Sequence, residues 1–181
     1  MKVNAEAKQR LSAMLRAHED EILRRWTHIS ARTLRGRLTD SELTGQVREV
    51  YGALLGILDG DGDGELSGES RAALGELSRS WARQGFTPTE TANLVFTIKA
   101  VALALAESDQ AEQVTSDFLV LSLLVDEMGL FTFETWAKAR ESIIADQTEQ
   151  LLELSTPVVK LWDGVVAVPL VGTLDSARAR W

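Results

Sequence analysis

The chain has 181 residues, a net charge of −8, no cysteine and 45% hydrophobic residues. That length holds one ordinary domain plus a remnant, given domains of ~100–150 residues, and the apolar share is enough for a buried core. The missing cysteine excludes disulfides, thiolate metal sites and thiol catalysis, and the acidic balance argues against nucleic acid, whose phosphates require a basic surface.

The N-terminal MKVNAEAKQR has no apolar stretch and is not a signal peptide. The longest apolar runs, residues 94–106 and 118–125, are interrupted by Lys99 or bounded by Asp117 and Asp126. Both fall short of the ~20 residues a membrane span needs, so a cytoplasmic protein with no membrane partner is expected. Charge is uneven, net +5 over residues 1–37 and net −13 over the remainder. The basic first helix is therefore expected to touch an acidic surface, in cis or in a dimer.

In chain order, Leu11, Leu15, Ile22, Trp26 and Ile29 recur at spacings of three, four or seven, predicting one amphipathic helix over residues 4–29. On it His18 continues the apolar stripe as a half-buried packing residue. Thr39-Asp40-Ser41-Glu42 is a capping box that opens a second helix, with Leu43, Val47, Val50, Leu54 and Leu58 on one face. A polar, glycine-rich loop occupies residues 59–68. Leu74, Leu77 and Trp81 mark a third helix, stopped by Gly85 in a left-handed cap. Thr87-Pro88-Thr89-Glu90 is the clearest start signal, with Pro88 at the first helical position, where its missing N–H costs nothing. The helix that follows is apolar on most of its circumference and should be central. Ser108 or Asp109 caps the next, with Val114, Phe118, Leu121, Val125 and Met128 inward. Gly129 is expected to break or bend it. A last long helix is predicted over residues 132–154, with Ala137, Ile144, Leu151 and Leu154 on heptad a and d positions, and Arg140 and Gln147 on the other two. That pattern predicts one buried stripe near the helix end.

Beyond Pro157 the pattern changes. VVKLW and VVAVPLV flank Asp163-Gly164, the dipeptide that favours a two-residue hairpin turn. Leu174-Asp175-Ser176 then opens a new helical start.

The chemistry-bearing motifs are few. Asp59-Gly60-Asp61-Gly62-Asp63-Gly64-Glu65 follows a calcium loop through its first positions, but position 12 is Ser70 where a bidentate Glu is required. A solvated acidic loop is the expected reading, with no metal bound at Asp59, Asp61 or Asp63. The only histidines, His18 and His28, both fall in the first predicted helix, so neither haem ligation nor a Glu-x-x-His di-metal core can be assembled. Without a nucleophile–base pair, a non-enzymatic protein is expected. Most aromatics should be core. Phe131 and Trp136 are the two that fit a dimer interface.

The junction LLELSTPVVKLWDGVVAVPLVGTLDSARAR resembles the opening of a STAS domain in the RsbR-type stressosome co-antagonists. The helical part, through GLFTFETW, ARESIIADQ and ARQGFTPTETA, resembles their non-haem globin-like N-terminal domain. The resemblance implies an all-α, globin-like bundle over residues 1–154, including a linker helix over about 132–154, then a truncated STAS opening over 155–181. It further implies a parallel homodimer, with Trp136, Ile144, Leu151 and Leu154 on its linker helices, and no cofactor. The partners it implies are STAS-domain paralogues and a serine/threonine switch kinase of RsbT type. Ser176, or Thr173 nearby, would be the phospho-acceptor, where a phosphate meets free helix N-terminal amides. The function implied is that of a stress-signalling scaffold or sensor regulating an anti-sigma/sigma-factor pathway. A ligand- or calcium-binding globin-like sensory domain is the alternative.

Overall fold

A computed structural model describes residues 5–34, 36–60, 66, 68–106, 111–154 and 159–167. Among them the chain forms six helices and one hairpin: α1 (Ala5–Ala17), α2 (Glu19–Leu34), α3 (Asp40–Asp59), α4 (Gly68–Arg83), α5 (Pro88–Ala106), α6 (Ala111–Leu154), β1 (Val159–Trp162) and β2 (Val165–Ala167). The all-α reading with a terminal hairpin holds. The chain divides into two compact units, Met1–Ala139 and Arg140–Trp181.

In the first unit α3 packs on α1, α2 and α4, and α2 packs on α5. One core cluster joins these helices to α6 through Trp26, Leu54, Leu74, Trp81, Ile98, Leu121 and Met128. Three tryptophans contribute area and also tie pairs of elements, because a buried indole N–H needs an acceptor. Trp26 Nε1 donates to the Leu94 carbonyl at 2.8 Å. Trp81 Nε1 donates to Gln46 Oε1 at 2.9 Å, and Trp136 Nε1 to the Phe86 carbonyl at 3.0 Å.

The local signals act as predicted. At Thr39 and at Thr87 the side-chain oxygen accepts from the amide three residues on, while Glu42 and Glu90 accept from the cap amide at 2.8 and 2.7 Å. Gly85 has φ +76°. The Phe86 amide reaches the Trp81 carbonyl at 3.0 Å and the Gly85 amide the Ala82 carbonyl at 3.2 Å, the paired bonds of a Schellman end.

Three expectations are corrected. The first helix is two: α1 ends at Ala17 and α2 begins at Glu19, although no Pro or Gly intervenes. The His18 amide is shared between the Met14 and Leu15 carbonyls, a tightened last turn, and Glu19, Asp20 and Glu21 fill the first turn of α2, where the helix dipole favours acids. The break changes the buried face, so that Ile22, Trp26, Ser30 and Leu34 point inward, while Ile29 is exposed. His18, in the break, is exposed rather than half-buried. Finally, Gly129 does not end a helix and no separate helix begins near residue 132, since α6 runs through both. A Cβ there would lie 2.4 Å from Phe96 Cε1, so this glycine lets α6 approach the α5 ring.

The basic N-terminal segment finds its acidic surface in cis. Arg10 grips Asp117 with two bonds of 2.9 and 2.7 Å, and Arg16 and Ser12 both donate to Asp59.

In the second unit β1 and β2 pair antiparallel, with Trp162 opposite Val165 and a register irregularity between Lys160 and Trp162. Asp163-Gly164 forms the predicted two-residue turn, with Gly164 at φ +81°.

Candidate interaction surface

Within the first unit α6 buries Leu121, Leu124, Val125, Met128 and Thr132, a stripe at helical spacing. Its opposite face is also apolar. Leu119 is 58% exposed, Leu123 45%, Leu130 70% and Phe133 49%. A lone exposed leucine is ordinary, whereas a row of four on one helix is a contiguous apolar patch of the kind found at interaction sites.

The spacing of that row is four, seven and three, the a and d positions of a heptad. Carried along the sequence of α6, the same register places Ile144 and Leu151 at a, and both are exposed. Leu123, Leu130, Ala137, Ile144 and Leu151 therefore make every a position from 123 to 151 apolar. The d positions are mixed, with Leu119, Phe133 and Leu154 apolar and Asp126, Arg140 and Gln147 polar. Of the linker-helix residues singled out from sequence, Ile144 and Leu151 lie on this row, and the Leu154 side chain falls outside the described residues. The upstream residues Leu119, Leu123, Leu130 and Phe133 were missed by sequence reasoning. Reading α6 as one helix through Gly129 would have found them.

Trp136 and Phe131 sit differently. Trp136 is half-buried and bonded to the turn before α5. Phe131 is half-buried with the Arg71 guanidinium 4.7 Å over its ring. Among the described aromatics of α6, Phe133 is the exposed one.

The charges beside the row are largely tied down. Asp126 accepts from Lys99 Nζ at 2.5 Å, so the acidic d position carries a cation from α5. Lys138 donates to Glu134 at 2.6 Å, and that hydrogen bond holds the Glu134 carboxyl below its ordinary range. Arg140 is exposed.

The acidic loop residues come apart in the structure. Asp59 closes α3 and accepts from Ser12 Oγ at 2.6 Å and Arg16 Nη2 at 2.5 Å, so its oxygens already serve the α1–α3 contact. The Ser12 hydrogen bond, followed by Arg16, pulls the Asp59 carboxyl below its usual value. Asp61 and Asp63 lie outside the described residues, as do Thr173 and Ser176. Among the described residues no group of three or more metal-capable side chains comes together, and no helix is long and apolar enough to cross a membrane.

Among the described residues the longest helix of the bundle thus keeps an exposed apolar row. Residues 12–151 match the family described as the RsbT co-antagonist protein RsbRD N-terminal domain, and the chain belongs to that family. It is thus a signalling domain of the stressosome co-antagonist type. The match ends at residue 151, before the hairpin. No curated protein matches the chain, and no solved structure does.

Proposed function

We propose that this chain is a non-catalytic sensory and scaffolding module that works as a parallel homodimer through the outer row of α6. The observation that carries this reading is the row itself, apolar at successive a positions and open to solvent in the single chain. In a parallel pair each a residue meets its own counterpart, so Leu130 faces Leu130 and Ile144 faces Ile144. The polar d positions, Arg140 and Gln147, would lower affinity while fixing register, as single polar core positions do in coiled coils.

In this reading residues 1–154 are the sensory and dimerisation domain, with residues 132–154 as linker helix, and residues 155–181 open a STAS region. A change in the bundle alters the paired α6 helices and is passed into that region. There it biases capture of an RsbT-type switch kinase and phosphorylation at Ser176, or at Thr173, in a cytoplasmic complex with STAS-domain paralogues. The family membership supports the kinase-linked role, and the hairpin at Asp163-Gly164 supports the domain opening.

Sedimentation of the native chain and of a Leu130→Glu/Phe133→Glu variant tests the pairing. A dimer that becomes a monomer with unchanged helicity is expected, whereas a variant that still dimerises would refute the proposed surface. Phosphate transfer from an RsbT-type kinase, assayed on the native chain and on Ser176→Ala, tests the acceptor. Undiminished labelling of Ser176→Ala and of Thr173→Ala would remove both candidates.

A further inference from the structure

A cavity of about 190 Å³ lies between α1, α5 and the first turns of α6, lined by Leu11, Met14, Ala102, Leu105, Phe118 and Leu121. Its polar members are Arg10, Asp117 and His18. We propose that this cavity is a binding site for a small, uncharged, single-ring aromatic molecule carrying one hydrogen-bond donor, of the phenol class.

Size and chemistry both select that class. An apolar cavity of ~150 Å³ holds one benzene ring, so this one admits a ring with a small substituent. The wall is aliphatic, with one aromatic ring, and a thioether that adapts to an aromatic guest. The polar end is an internally neutral ion pair. Arg10 Nε and Nη2 are committed to Asp117 Oδ2 and Oδ1 at 2.9 and 2.7 Å. The two charges compensate each other, so a charged ligand gains no net counter-charge there for the hydration it gives up. A carboxylate oxygen has two acceptor directions and the Arg10 bond takes one at each, so the Asp117 carboxylate has the capacity to accept from a neutral O–H or N–H. Asp117 is only 17% exposed at its side chain, which strengthens that bond relative to one in water. The site joins α1 to α6, the helix with the outer apolar row, so occupancy bears on the element proposed to carry the signal.

Titration of the full chain with phenol, followed by ligand-observed NMR, tests the site, with benzoate and benzylamine as charged comparators. Phenol is expected to bind saturably with a Kd on the order of 0.1–1 mM, as small ligands of this size do, and each charged comparator at least tenfold more weakly. Met14→Trp, at a partly buried position, fills the cavity and should abolish binding while circular dichroism is unchanged. Asp117→Asn removes the anion and releases Arg10, and should raise benzoate affinity relative to phenol at least tenfold. No saturable phenol binding below roughly 10 mM, beyond the weakest affinity the class gives, would overturn the proposal. So would equal phenol affinity in Met14→Trp and the native chain, or benzoate binding the native chain as tightly as phenol. Ala102→Phe, which fills the cavity from α5, repeats the test should Met14→Trp fail to fold. Because the readout is ligand binding alone, its outcome is separate from that of the dimer.

Discussion

Gly129 shows how one residue supports two opposite readings. A glycine inside an apolar helical pattern signals a break, a cap or a close approach, and only the neighbour across the interface decides which. Here the neighbour is the Phe96 ring, close enough that a Cβ would fall 2.4 Å from Cε1. Gly129→Ala gains about 1 kcal/mol of helix propensity but overpacks α5 against α6 at a cost of about 1–3 kcal/mol. A net loss of stability is expected in denaturant titration. Phe96→Leu in the same chain should recover most of it, and full additivity of the two substitutions would contradict the contact.

Asp59 gives the pH dependence a sign. Its folded carboxyl titrates below its ordinary 3.8, because Ser12 and then Arg16 donate to the charged form. The unfolded chain therefore binds more protons near and below that value. The contribution is complete above it and is lost as pH falls through the lower folded value. Thermal midpoints measured between pH 2 and pH 6 should fall more steeply for the native chain than for Asp59→Asn. Identical slopes would show that the α1–α3 contact does not depend on this carboxylate.

At the scale of elements, what was legible was local. The boxes at Thr39 and Thr87 and the left-handed stop at Gly85 are decided by residues within one turn, so short-range chemistry fixed those ends of α3, α4 and α5. Thr87→Ala should cost about 1 kcal/mol, the usual value of such a cap, in the same denaturant titration. The break at His18 was not legible in that way. It comes from α1 and α2 docking separately, α1 through Arg10 and Ser12 and α2 through Trp26, on partners far along the chain. The acid triplet 19–21 was its only local trace. The outer row of α6 was half-legible, since Ile144 and Leu151 fit a heptad, while Leu119 to Phe133 required a continuous helix and knowledge of which face the core had already used. The cavity beside Arg10 and Asp117 was illegible, because its walls come from three helices.

At the scale of the whole molecule, the first unit satisfies its own core and leaves one apolar face over. The second unit adds more uncovered apolar residues, with Leu161, Trp162 and Val166 exposed on a hairpin of a kind that is marginally stable by itself. Both features fit the proposed pairing of this co-antagonist family member with a second copy. Two copies are proposed to pair in parallel along α6. Since the chain contains no cysteine, single cysteines report that pairing without background. In a parallel pair residue 144 meets residue 144 within disulfide reach, whereas residue 146 points outward. Mild oxidation of Ile144→Cys is the measurement to make, with Asp146→Cys as control. A covalent dimer is expected for Ile144→Cys and no covalent dimer for Asp146→Cys. Equal cross-linking of the two, or none at position 144 in a chain that sediments as a dimer, would contradict the parallel pairing.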